Sequence, residues 1–170
     1  FWPNVLHAAD IDGDGDIDIL LGVSNIYSPL YRLMLYTNDG SGSFSESYLK
    51  SYSDTTSVAA IETGDLNGDG DIDIIFTDDW TSTIRWQQGP NFVVSSIAWS
   101  SITANGASGL GVFDLDGDGD LDFTVGGTTN YGTQWYENDG SGTFTQKTIE
   151  DSTRATGRIF MADIGGTNKI

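Results

Sequence analysis

The chain has 170 residues, enough for a hydrophobic core, and carries 7 Lys+Arg against 25 Asp+Glu, a formal net charge of -18. That balance excludes a nucleic-acid binder, because a polyanion would be repelled and no basic patch offsets the repulsion. The absence of cysteine excludes disulfides, zinc-thiolate sites and iron–sulfur clusters, and a single histidine, His7, excludes multi-histidine metal sites. Hydrophobic residues at 38% and aromatics at 12% are too many for a disordered acidic tail. No run approaches the ~20 apolar residues of a membrane span.

In chain order, the first predicted strand is Val5-Leu6-His7-Ala8. An acidic nonamer follows, Asp10-Ile-Asp12-Gly-Asp14-Gly-Asp16-Ile-Asp18, and runs into Ile19-Leu20-Leu21. The segment Leu35 to Phe44 then passes through Asn38-Asp39-Gly40-Ser41-Gly42, a hairpin-turn sequence in which Gly and Asn tolerate positive φ. The alternating stretch from Phe44 to Tyr52 supplies a fourth strand. The same series recurs twice. Val58-Ala59-Ala60-Ile61 precedes the nonamer Asp65-Leu-Asn67-Gly-Asp69-Gly-Asp71-Ile-Asp73, and Leu110-Gly111-Val112-Phe113 precedes Asp114-Leu-Asp116-Gly-Asp118-Gly-Asp120-Leu-Asp122. Apolar strands Ile74-Ile75-Phe76 and Phe123-Thr124-Val125 follow. The turn recurs as Asn138-Asp139-Gly140-Ser141-Gly142 in the third copy and as the shorter Gln88-Gly89-Pro90-Asn91 in the second. A fourth copy opens with Arg158-Ile159-Phe160-Met161 and Asp163 but has Gly165, Thr167 and Lys169 where acids are expected, so no metal is predicted there.

Each repeat therefore reads strand, acidic loop, strand, strand, glycine-rich turn, strand. The nonamer starts are 55 and then 49 residues apart. Four strands in about 50 residues is the period of a propeller blade, and apolar runs buried on both faces suit sheets stacked around an axis. The expected fold is all-β: three four-stranded antiparallel blades at 1–57, 58–107 and 108–156, and the start of a fourth at 157–170. A β-solenoid or sandwich is the alternative. Because three blades and a partial fourth do not close a ring, the chain is expected to be a fragment of a larger propeller, or else to associate into a ring.

Within each nonamer, carboxylates at alternate positions converge on one point, and a hard cation wanting six to eight oxygens would relieve their repulsion. Calcium fits such a flexible loop better than magnesium. The expected ligands are Asp10, Asp12, Asp14, Asp16 and Asp18; Asp65, Asn67, Asp69, Asp71 and Asp73; and Asp114, Asp116, Asp118, Asp120 and Asp122. Position 7 (Asp16, Asp71, Asp120) is assigned a backbone carbonyl ligand with its side chain facing solvent. Gly15, Gly70 and Gly119 at position 6 serve a conformation costly to other residues. Three Ca2+ ions would bring the formal charge from -18 to -12. An EF-hand fails, because its bidentate Glu at position 12 is replaced by Leu21, Phe76 or Val125.

The nonamers and the Tyr/Trp-x-Asn-Asp-Gly-Ser-Gly-x-Phe signature resemble FG-GAP/VCBS repeats, the calcium-binding blades of integrin-α-type β-propellers and of many secreted bacterial proteins. The resemblance implies a calcium loop between the first two strands of each blade and an extracellular setting. It leaves three functions open: a scaffold or adhesion module with a protein or surface partner, a lectin that binds glycans, and a non-catalytic domain of a larger secreted enzyme. No catalytic residues are assigned. His7 is expected to be structural, Trp86 and Trp135 to pack between blades, and Trp80 to be the better sugar-stacking candidate.

Overall fold

The computed structural model describes residues 2–24, 31–52, 57–78, 83–95, 109–126, 133–149 and 159. These residues build twelve strands and, among them, no helix. Blade 1 comprises β1 (Trp2–Ala9), β2 (Asp18–Ser24), β3 (Tyr31–Asn38) and β4 (Phe44–Tyr52). Blade 2 comprises β5 (Val58–Gly64), β6 (Asp73–Asp78), β7 (Ile84–Gln88) and β8 (Val93–Ser95). Blade 3 comprises β9 (Gly109–Phe113), β10 (Asp122–Gly126), β11 (Thr133–Asn138) and β12 (Phe144–Thr148). In each sheet the strands are antiparallel neighbours in chain order. This is the all-β, propeller-type blade architecture expected from the repeat. The expected fourth-blade opening, 157–170, lies outside the described residues except for Ile159.

The unbroken apolar runs have a direct cause. Successive side chains of a strand point to opposite faces. In β6, Ile74 and Phe76 face blade 1, where they pack with Ile11, Leu20, Leu33 and Leu35. Ile75, between them, faces blade 3 and joins Leu66, Ile84, Trp86, Phe123, Val125 and Tyr136. One apolar run thus feeds two cores, one on each side of the middle blade. β10 is buried along its whole length for a related reason: Phe123 and Val125 enter the core shared with blade 2, and all five of its residues are covered.

Repeat-equivalent first strands lie side by side, β1 next to β5 and β5 next to β9. Their approach demands small residues. A methyl group on Gly22 would stand 2.7 Å from both Val5 Cγ1 and Val58 Cβ. His7 bridges blades 1 and 2 here: its Nε2 lies 3.0 Å from Thr63 Oγ1, and its Nδ1 lies 3.9 Å from Glu62 Oε2. Burial lowers the His7 pKa and raises that of Glu62. The histidine thus occupies a packed inter-blade position, the structural place expected for it.

Gly22→Ala is expected to destabilise the fold by about 1–3 kcal/mol through overpacking at the blade 1–blade 2 seam. Urea unfolding measures this, and a neutral result would mean the seam is looser than these distances require.

Candidate metal centres and their supporting hydrogen bonds

Each nonamer connects the first and second strands of its blade. The loop is shaped by its own carboxylates before any ion is considered. The first Asp folds the chain back by accepting the N–H groups of two loop glycines, and Asp65 also takes that of Asp69 at 3.1 Å. Asp10 takes those of Gly13 (2.8 Å) and Gly15 (3.0 Å), Asp65 those of Gly68 (2.8 Å) and Gly70 (2.9 Å), and Asp114 those of Gly117 (2.7 Å) and Gly119 (3.1 Å). Positions 3 and 5 each accept the N–H two residues on. Asp14 N–H donates to Asp12 at 3.3 Å and Asp16 N–H to Asp14 at 2.9 Å, with the same pattern in the other loops. These are Asx turns, and they leave lone pairs free on every carboxylate. The expected backbone demand at position 6 is present: Gly15, Gly70 and Gly119 have φ of 96°, 92° and 103°.

Position 9 behaves differently. Asp18, Asp73 and Asp122 are fully buried. In each, one oxygen accepts the N–H of loop position 2: Ile11 at 3.0 Å, Leu66 at 3.1 Å and Leu115 at 3.0 Å. The other accepts an N–H at the end of the third strand or just past it: Asn38 at 2.8 Å, Gly89 at 2.9 Å and Asn138 at 2.8 Å. This carboxylate ties three segments of one blade together. Burial pushes the pKa of Asp73 and Asp122 up, opposed by these N–H groups and by the indoles of Trp86 and Trp135. Both indole nitrogens lie outside ordinary hydrogen-bond geometry.

Carboxylate oxygens of Asp10, Asp12 and Asp18 lie within 4.8 Å of one another, as do those of Asp114, Asp116 and Asp118. Partial removal from water raises the pKa of Asp12 and Asp116, and the like charges around each add to the rise. In the second loop Asn67 replaces the position-3 acid, and its Nδ2 donates to Asp69 at 2.8 Å. Hard-oxygen sets of this kind fit a calcium ion.

Position 7 departs from expectation in two loops. Asp16 and Asp120 do not point freely to solvent. They are half-buried, with their carboxylates against Gly40 and Gly140 of the β3–β4 and β11–β12 turns, where any Cβ would collide with them. Asp71 is exposed as expected.

Sequence reasoning treated Asn38-Asp39 and Asn138-Asp139 as turn formers and missed their other roles. The glycines alone take positive φ in these turns. Asp39 accepts the N–H groups of Ser41 and Ser43 and the Ser41 hydroxyl, and Asp139 does the same with Ser141 and Thr143. The serine hydroxyl first, then the backbone N–H groups, hold both carboxyls below the usual range. Asn138 is buried, and its Nδ2 donates to Leu66 O of blade 2 and Leu121 O of its own blade, both at 2.9 Å. The signal that could have exposed this role was the recurrence of Asn at the same register beside position 9.

Trp86 packs between blades 2 and 3 as expected, so its ring is taken up by the core. Trp135 is half-buried, and Trp80 and Trp99 lie outside the described residues.

Two outcomes separate position 9 from position 3. In chelator, Asp122→Ala should cost about 1–3 kcal/mol for each N–H it orphans, whereas exposed Asp116→Ala should stay within about 0.5 kcal/mol. Chemical denaturation of both variants decides it. Because the Asp39 and Asp139 pKa values are lowered, their contribution is present above the ordinary Asp value and is lost as pH falls through the lowered one. The Asp39→Ala/Asp139→Ala double variant should therefore melt lower than the parent at neutral pH and approach it in acid. A gap independent of pH would refute that account.

The family model for the FG-GAP-like repeat matches residues 10–76 and 65–125. These matches contain all three acidic nonamers. No curated protein matches the chain. Among the described residues no helix is long and apolar enough to cross a membrane. With most of its length matched by the repeat, the chain belongs to the FG-GAP-like repeat family.

Proposed function

We propose that this chain is a calcium-binding, extracellular β-propeller module that serves as a scaffold for adhesion or protein–protein interaction. The observation that carries the reading is the convergence of three carboxylates from one short loop, Asp10, Asp12 and Asp18 in blade 1 and Asp114, Asp116 and Asp118 in blade 3. A hard cation would relieve the repulsion between like charges held this close. In blade 2 the corresponding donors are Asp65, Asn67, Asp69 and Asp73. Calcium would neutralise these groups and tie the first two strands of each blade together. The position-9 carboxylates, already held by two N–H groups each, keep spare lone pairs for such an ion.

The extracellular assignment rests on the type of site. Loops of this kind in extracellular modules bind calcium with dissociation constants on the order of 10⁻⁴ to 10⁻³ M, which only extracellular calcium fills. We read the chain as non-catalytic, because 14 of its 25 acids belong to a loop repeated from blade to blade, whereas catalysis needs a unique site. A beta-propeller of this family offers its loops and outer surfaces to partners, and on this reading calcium sets their rigidity.

With calcium near 1 mM and a constant of about 0.1 mM, each site would add about 1.4 kcal/mol. Three sites would be a large share of a domain's usual 5–15 kcal/mol. A marked drop in Tm on adding EDTA, reversed by excess calcium but not by magnesium, is the expected result, with three ions per chain by native mass spectrometry. A melt indifferent to EDTA would end the calcium reading.

A further inference from the structure

One turn of blade 3 touches the acidic loops of two blades. Asn138, at its start, is 3% exposed, and its whole amide is in use. Its Nδ2 donates to Leu66 O and to Leu121 O, both at 2.9 Å. Its Oδ1 accepts the N–H groups of Gly140 and Gly142, both at 3.2 Å. Those bonds use both amide hydrogens and both lone pairs of the oxygen, so the side chain is held in one orientation.

Both carbonyls lie inside candidate metal loops. Leu66 stands between Asp65 and Asn67, positions 1 and 3 of the blade 2 loop. Leu121 stands between Asp120 and Asp122, positions 7 and 9 of the blade 3 loop. The backbone of the turn widens the contact. Gly140 O is so near Gly68 that a Cβ there would stand 3.0 Å from it, and Gly140 also receives the Asp120 carboxylate. A shift of the ligand positions in either loop would therefore move a carbonyl that Asn138 holds.

The seam between blades 1 and 2 lacks this device. Gly89 occupies the register of Asn138, since its N–H donates to Asp73 as that of Asn138 donates to Asp122. Glycine has no amide to span two loops. No side chain fits either, because a Cβ there would stand 2.5 Å from Ile72 O, the position-8 carbonyl. The turn is shorter as well, with Pro90 and Asn91 in place of residues 139–143. A cavity of about 120 Å³ lies between the two loops, lined by Asp12 and Gly13 of blade 1 and by Asp71 and Pro90 of blade 2.

We propose that the Asn138 turn couples the metal sites of blades 2 and 3, so that calcium loads these two loops cooperatively, while blades 1 and 2 load without such coupling. The proposal rests on the calcium reading above and gives it a regulation. Asn138 is a positioning residue, since its amide is fully committed to backbone groups. The first ion fixes one loop and the amide held to it, so the second ion meets a loop already held in place. Such coupling is reciprocal: occupancy of either loop raises the affinity of the other by the same factor.

The test is calorimetric calcium titration of variants that empty one loop at a time. Asp12→Ala/Asp14→Ala empties the loop of blade 1, Asn67→Ala/Asp69→Ala that of blade 2, and Asp116→Ala/Asp118→Ala that of blade 3. With blade 1 emptied, the loops of blades 2 and 3 should each bind at least about fivefold tighter when the other is intact, and by one common factor. With blade 3 emptied, the blade 2 loop should bind equally well whether or not the blade 1 loop is intact. Asn138→Ala should abolish the factor and keep both sites, whereas Asn38→Ala, in the matching turn of blade 1, should leave it in place. Asn138→Ser is the milder variant if alanine disturbs folding, because a serine hydroxyl is too short to span both carbonyls. A parent that binds no calcium overturns the calcium reading and the coupling with it. Three ions that bind independently overturn the coupling alone. So does a factor that survives in folded Asn138 variants, or an equal factor between blades 1 and 2.

Discussion

A buried carboxylate accepting two backbone N–H groups is the interaction on which each blade depends. Asp18, Asp73 and Asp122 stand at the start of the second strand and hold the start of the acidic loop and the far end of the third strand. Burying a charge is costly unless it is satisfied, and these are satisfied by N–H groups that would otherwise be orphaned. The loop cannot drift from the strand it leads into, and the third strand cannot slip in register without breaking a charge-assisted hydrogen bond. The same residue is the last acid of the nonamer, so blade geometry and candidate metal site share one side chain.

From this staple the two other devices follow. With the third strand pinned, the Asn-Asp-Gly-Ser-Gly turn arrives beside the acidic loop, where Gly40 and Gly140 receive the carboxylates of Asp16 and Asp120. With both neighbours pinned, the second strand can offer alternate side chains to two different cores. Ile75 belongs to one and Ile74 and Phe76 to the other. A blade of this kind is never complete alone, since each face wants a neighbour. Among the described residues, Phe44 is exposed and open space stands at Gly42 on blade 1.

The degree of regularity also varies usefully between copies. Blade 2 lacks the long turn, yet it keeps Asp73 and its two N–H donors. The staple is retained where the turn is not, which ranks the two by structural necessity. Asn67 in the same blade retains an acceptor oxygen for Asp69 N–H while shedding a charge. The loop fold therefore needs an oxygen at position 3 but not a carboxylate.

The repeat, the strand order and the acidic loops are legible in the chain alone, because those depend on local chemistry. Alternating Asp and Gly dictate Asx turns and positive φ, and apolar runs between turn signals dictate strands. The sequence also marked Asp10, Asp12 and Asp114 as members of converging sets. The division of labour among equivalent residues comes from how the strands, turns and blades meet in three dimensions. Position 9 is buried because the third strand returns beside it, and position 7 is covered because the next turn folds over it. Asn138 reaches Leu66, 72 residues away, because two blades meet there. Phe44 and Phe144 read alike in the chain, yet Phe144 packs against Trp86 of blade 2 while Phe44 is exposed among the described residues.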